Sequence, residues 1–292
     1  MKALLQRTVE RLRPAEGAAS AELAPVVIFG TGGSGTRVLQ LLADRAGYFM
    51  GANLNAPGDS LDIGQFMQRW LNRYLTRSSW IDEIHRESDL AKFGSPRAMA
   101  TDFRAAIESH RSGIQDEDAP WGWKSPKTIL MLPFVHEMYP AMKAVHLVRD
   151  GRDMAFSRNQ NQVRSKGRKV LSETDLEQPE PIRSIKFWAR VNVAAARYGN
   201  TRFVDGNYLR LHYEDVCSEP GEAVVELLDF LDCPTPRDSM QTVAAEVVRP
   251  SASTRRRSGS RPSWKETKEK DPALATEIQS AGADALRELG YL

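Results

Sequence analysis

Residues 26–42, VVIFGTGGSGTRVLQLL, decide the fold. Val26, Val27, Ile28 and Phe29 form a short apolar run, mostly β-branched, the pattern of a strand buried on both faces of a parallel sheet. Gly30, Gly32, Gly33 and Gly35 follow within six residues and supply backbone torsions that few other residues reach. Val38, Leu39, Leu41 and Leu42 then open a helix whose apolar face can return to the sheet. A glycine loop at a helix N-terminus directs several backbone N–H groups at one point, which suits an anion. A plain strand-to-helix turn has no need of four glycines, so the stretch predicts an anion-binding loop.

Working outward, residues 1–24 are expected to be an N-terminal helix and linker, and 25–292 a single domain. The opening MKALLQRTVERLRP has arginines within its apolar stretch, which fits an amphipathic helix better than a signal peptide. LDIGQFMQRWLNRYL has helical periodicity, and its Phe66, Trp70 and Tyr74 stripe is expected to be core. Trp70 and Trp80 together could also line an acceptor site. A further helix is expected over 97–112, a short strand in APWGWKSPK, a buried strand in KAVHLV, and a third in YLRLHYEDV. Residues 160–182 are polar with few apolar anchors and are expected to form a mobile loop, and the last helix spans 271–289. Strands alternating with helices imply an α/β domain with a central parallel sheet flanked by helices.

Composition narrows the partners. Forty Lys and Arg against 38 Asp and Glu leave a net charge of +2, so charge alone implies no nucleic-acid partner. The two cysteines, Cys217 and Cys233, make no disulfide framework, and reduced thiols in a soluble cytoplasmic protein are the expectation. No apolar run approaches the roughly 20 residues of a membrane span. The histidines and cysteines have no metal-ligand spacing, so no metal is expected. Nothing in the sequence indicates the oligomeric state.

The glycine loop is not an ATP-binding loop of the G-x-x-x-x-G-K-[ST] kind. Gly30 and Gly35 are correctly separated, but Thr36 stands at the lysine position and Arg37 at the hydroxyl position. The lysine that reaches terminal phosphates and the hydroxyl that holds magnesium are both missing, which speaks against a nucleotide kinase.

Four segments instead carry a resemblance to the sulfotransferase superfamily, whose donor is 3′-phosphoadenosine 5′-phosphosulfate (PAPS) and whose product nucleotide is PAP. GTGGSGTRVL is similar to the family's 5′-phosphosulfate loop, implying donor contacts from Gly32, Gly33, Ser34, Gly35, Thr36 and Arg37. In LVRDGRDMAFS, Arg149 and Ser157 match the family's 3′-phosphate pair. LRLHYEDV resembles the strand end at which Tyr213 would approach the adenosine. RSGSRPSWK keeps the spacing of the Arg-x-Gly…Trp-Lys loop, implying that Arg257, Ser258 and Gly259 close over the 3′-phosphate. The resemblance implies the P-loop-like sulfotransferase fold. It is especially close to bacterial members, with features of the glycan and protein-tyrosine enzymes. Two phosphate ends require two anion sites, and charge-assisted hydrogen bonds from these residues suit them.

One departure stands out: the family loop has Lys or Arg immediately before Ser-Gly-Thr, and here that residue is Gly33. Arg37, or Lys124 in WKSP, can compensate; Lys124 resembles the Lys-x-Pro lysine of the protein-tyrosine enzymes. The histidine base of the small-molecule enzymes has no counterpart, since Pro126 takes its place. By resemblance to the glycan and tyrosine enzymes, the base is a carboxylate in GANLNAPGDSLD, either Asp59, the preferred candidate, or Asp62. His136 and His146 are expected to be structural. The implied acceptor is a hydroxyl or amine on a small molecule, glycan or lipid; a catalytically silent PAPS-binding protein is the alternative.

Overall fold

The apolar runs form four strands, β1 (Val26–Phe29), β2 (Gly122–Lys124), β3 (Lys143–Val148) and β4 (Tyr208–His212). The computed structural model describes residues 24–78, 80–81, 96–116, 118–204, 206–252 and 264–292. Between β1 and β2 lie α1 (Arg37–Arg45), α2 (Leu61–Arg77) and α3 (Pro96–Arg111). A 3-10 turn (Pro126–Leu130) and α4 (Leu132–Met138) join β2 to β3. Between β3 and β4 come α5 (Gly151–Met154), α6 (Asn161–Val170), α7 (Glu173–Leu176) and α8 (Glu180–Arg202). After β4 follow α9 (Tyr213–Ser218), α10 (Pro220–Phe230), α11 (Arg237–Ala252), α12 (Trp264–Lys270), α13 (Pro272–Ala281) and α14 (Ala283–Glu288).

The strands are all parallel, in the order β2-β1-β3-β4, with Val27 opposite both Trp123 and Ala144. Parallel neighbours cannot be joined by a hairpin, so each connection crosses over through helices. All four strand C-termini therefore arrive at one edge, where open α/β sheets hold their ligands. Alternation along β1 serves both faces. Val27 and Phe29 join an aromatic core with Phe66, Phe103, Trp123 and Phe134, whereas Val26 and Ile28 meet Leu39, Leu42, Leu227 and Ala244. A third cluster joins Trp188 to Ile278 and Leu286, fixing the C-terminal helices against α8. The fold is thus α/β, a single parallel sheet flanked by helices.

His146, on β3, is fully buried and stacks on Phe29, with ring centroids 5.1 Å apart. Its Nε2 donates to Asn192 Oδ1 (3.0 Å), and its Nδ1 accepts from the Tyr208 hydroxyl (2.8 Å). Burial pushes its pKa down to about 3, so the ring is neutral and structural. His136 stacks on Phe203 at 3.9 Å, on α4 and away from the strand ends.

Three elements differ from the sequence reading. The segment 160–182 is largely helical, as α6 and α7. The buried face of α6 consists of Gln162, Gly167 and Val170, too little apolar surface to register as periodicity. Polar pairs hold it instead: Lys166 Nζ donates to Asn72 Oδ1 (2.7 Å) and Lys186 pairs with Asp175 (2.6 Å). The third strand ends at His212, and Tyr213 begins a helix. The last helix is two, broken at Gly282, where a Cβ would stand 2.5 Å from Ile185 Cδ1. The expected N-terminal helix lies outside the described residues.

Candidate active site at the strand ends

Between β1 and α1 the chain turns through Thr31–Thr36. Gly33 and Gly35 take φ of +99° and +96°, a region in which side chains are strained. A Cβ on Gly35 would stand 2.4 Å from the Tyr213 ring, and one on Gly33 2.8 Å from Ser157 Oγ. Position 33 thus has a torsion that strains a side chain, and a Cβ there would displace the Ser157 hydroxyl. Ser34 N–H donates to Thr31 O (3.0 Å) and Gly32 N–H to Gln162 Oε1 (2.8 Å). Among the described residues, the N–H groups of Gly33, Gly35, Thr36 and Arg37 make no hydrogen bond. The buried hydroxyls of Thr31 and Ser34 also lack partners. Unused donors at a helix start suit an anion.

Arg149 leaves the end of β3 and turns back to this loop. Its Nη1 donates to Gly33 O at 3.4 Å, and its guanidinium lies 4.8 Å above the Tyr213 ring. Its Nε is buried without a hydrogen-bond partner. The adjacent aspartates do not neutralise it: Asp150 pairs with Arg152 (2.7 Å), and Asp153 accepts from Trp264 N–H (3.0 Å). Ser157 Oγ accepts from Asn159 N–H (3.2 Å), which leaves its hydroxyl hydrogen for another acceptor. Burial pushes the Tyr213 phenol up to about 12, so it stays neutral under Arg149. Arg149, Ser157 and Tyr213 therefore converge on the two glycines of the loop. Arg257, Ser258 and Gly259 lie outside the described residues.

The two catalytic candidates prove to be partners. Lys124, at the end of β2 beside Ile28 of β1, donates from Nζ to Asp59 Oδ1 and to Pro57 O (2.8 Å). Burial lowers the Lys124 pKa, with the Asp59 hydrogen bond and charge opposing it and Arg37 adding to the lowering. Asn55 fixes Asp59 from the other side, its Nδ2 donating to Oδ2 (3.0 Å) and its Oδ1 accepting from the Asp59 N–H (2.8 Å). Ser60, not Asp59, caps α2, accepting from Ile63 N–H (3.3 Å). Asp62 faces α3, where its Oδ1 accepts from Ser109 Oγ (2.9 Å). Asp59, not Asp62, lines a cleft of about 300 Å³ beside the loop, shared with Gly32, Ser125, Pro126 and Gln162.

The aromatics proposed for an acceptor site are elsewhere. Trp70 and Trp80 are buried in the core, their indole N–H groups held by Asp102 (2.8 Å) and Leu130 O (3.0 Å). Gln162 is the residue that sequence reasoning missed. It accepts from Gly32 N–H and donates to Pro126 O (3.0 Å), tying the glycine loop to the turn after Lys124. No local signal reveals a contact 130 residues away in sequence. Among the described residues, no group of three or more His, Cys, Asp or Glu could hold a metal ion, and no helix is long and apolar enough to cross a membrane.

Comparison with curated proteins returns no match. Among solved structures, the sulfotransferase domain from the curacin biosynthetic pathway gives a TM-score of 0.54 at 14% identity, covering 93% of this chain and 99% of that one. Sulfotransferase STF9 from Mycobacterium avium gives 0.52 at 12% identity, covering 98% of this chain and 80% of that one. At such identities the likeness is one of fold. The family model described as "Sulfotransferase family" matches residues 25–237, from the residue before β1 to the first residue of α11. That span includes the glycine loop, Asp59, Lys124, Arg149, Ser157 and Tyr213, and the chain belongs to the sulfotransferase family.

Proposed function

We propose that this protein transfers a sulfuryl group from PAPS to an acceptor hydroxyl. The carrying observation is the convergence of unused loop N–H groups, an unneutralised Arg149 and the Asp59–Lys124 pair at one sheet edge. The site suits a nucleotide with two phosphate ends. The N–H groups of Gly33, Gly35, Thr36 and Arg37 take the 5′ end, and Arg149 with Ser157 takes the 3′ phosphate, joined by Arg257, Ser258 and Gly259. Tyr213 supports the adenosine. PAPS supplies the activated phosphosulfate; an S–O bond forms to the acceptor oxygen as the bridging S–O bond to phosphate breaks. Asp59 takes the acceptor proton, and Lys124 neutralises charge on the departing phosphate. Serving both ends requires Lys124 to trade its carboxylate partner for a phosphate oxygen, which frees Asp59 to act as base.

Calorimetry with PAP, AMP and ATP in the presence of a chelator tests the donor, with PAP expected to bind most tightly. Equal affinity for AMP removes the 3′-phosphate site. Labelled PAPS tests transfer: tight PAP binding with no sulfation of any acceptor makes the protein a silent binder.

A further inference from the structure

The Arg149 guanidinium is loosely held for a group proposed to bind a phosphate. Among the described residues it makes one hydrogen bond, to Gly33 O at 3.4 Å. Its aim therefore depends on the backbone that launches it. That backbone lies just past the sheet, since the β3–β4 ladder ends at Val148 and His212. Beyond the ladder, the peptide between Arg149 and Asp150 needs other partners for its two polar atoms, and two side chains supply them. Trp188 Nε1 donates to Arg149 O (2.9 Å), and Glu214 Oε1 accepts from Asp150 N–H (3.0 Å).

Tyr291 braces both of these side chains. Its hydroxyl donates to Glu214 Oε2 (2.9 Å), and its ring meets Trp188 edge-on, with centroids 6.2 Å apart. Burial raises the phenol pKa, with the Glu214 charge adding to it, so the hydroxyl stays protonated and remains a donor. Tyr291 is itself fixed: its O accepts from Arg152 Nη2 (3.2 Å), and its ring packs on His212 with centroids 4.9 Å apart. Glu214 directly follows Tyr213, so one carboxylate ties the strand end bearing Arg149 to the ring beneath its guanidinium.

We infer that Glu214, braced by Tyr291, is the positioning residue through which Arg149 distinguishes a 3′-phosphorylated nucleotide from one without that phosphate. The inference rests on the proposed role of Arg149, and the wild-type protein tests that role by itself. Calorimetry of wild type, Glu214→Ala, Glu214→Gln and Tyr291→Phe, each with PAP and with AMP, reads the preference. Glu214→Ala is expected to bind PAP about tenfold more weakly, the worth of one hydrogen bond to a charged group, with AMP affinity unchanged. Glu214→Gln keeps an oxygen for Asp150 N–H and an amide for the Tyr291 hydroxyl, and should retain the wild-type preference. Tyr291→Phe keeps the ring against Trp188 and should lose a part of the preference. Equal losses of PAP and AMP affinity in Glu214→Ala overturn the inference, because a merely structural residue acts on both nucleotides. Tighter PAP binding in Glu214→Gln overturns it too, because the carboxylate then acts by its charge alone. Should Glu214→Ala fail to fold, Tyr291→Phe decides, and a wild-type preference there overturns the inference. Wild-type protein that binds PAP and AMP equally overturns the role of Arg149 itself.

Discussion

Removing the Asp59 carboxylate is expected to cost more stability than removing the Lys124 ammonium, although both changes break one ion pair. The asymmetry comes from burial: the Lys124 side chain is 2% exposed and that of Asp59 27%. Asp59→Ala leaves a buried ammonium bonded to Pro57 O. Stranding a charge in this way costs about 3–5 kcal/mol, and the lower end applies because burial already favours the neutral amine. Lys124→Met leaves a carboxylate in contact with water and still bonded by Asn55 Nδ2, so its cost lies nearer about 1–2 kcal/mol. The double variant strands no charge and should be at least as stable as Asp59→Ala. Urea unfolding of the four proteins at neutral pH measures the cycle. The Asp59→Ala deficit should also shrink as pH rises toward 10.5, the ordinary lysine value. There the unfolded chain holds the lysine proton that the folded variant gives up, so stability climbs with pH. Equal single losses that sum to the double within about 0.5 kcal/mol would refute the pair, and with it the exchange proposed for catalysis.

Arg149→Ala should weaken PAP binding by roughly 10- to 100-fold, the worth of one charged hydrogen bond of about 1.5–3 kcal/mol, with the fold intact; unchanged affinity by calorimetry would make Arg149 structural. Gly35→Ala, at φ +96° with the Tyr213 ring 2.4 Å from the new Cβ, should lose upward of about 1 kcal/mol and lose PAP affinity too. Normal affinity in that variant would detach the loop from the donor. His146 should make the protein acid-labile between its ordinary value of 6.5 and its buried value of about 3. In that window the unfolded chain takes up a proton that the buried ring refuses, so stability falls by up to about 1.4 kcal/mol per pH unit. His146→Gln should flatten this loss relative to wild type in thermal melts across the range.

The parts of the fold that are dense in apolar residues were legible in the sequence. Val26–Phe29 reads as a strand because a strand buried on both faces leaves an unbroken apolar record, and Lys143–Val148 leaves one interrupted only by Lys143 and His146. Helix α6 left none, since its buried face contains a glutamine and a glycine. The loop glycines were legible because φ near +100° and the nearness of Tyr213 demand them. The pairing of Asp59 with Lys124 was not, although each was singled out alone. The two stand 65 residues apart in sequence and meet only because β2 lies alongside β1. Trp70 and Trp80 mark the opposite limit: an aromatic stripe has the same pattern whether it lines a cleft or fills a core, and here it fills the core.

Gln162 has a consequence for how two ligands bind. One of its amide atoms holds Gly32 in the glycine loop and the other holds Pro126, while the same side chain lines the cleft beside Asp59. Any occupant of the cleft that draws Gln162 toward itself releases a loop N–H, and any anion in the loop that recruits that N–H releases Gln162. By thermodynamic linkage, the two substrates then alter each other's affinity by one common factor. Their coupling then runs through a single carboxamide, and Gln162→Ala should leave two ligands that bind without regard to one another.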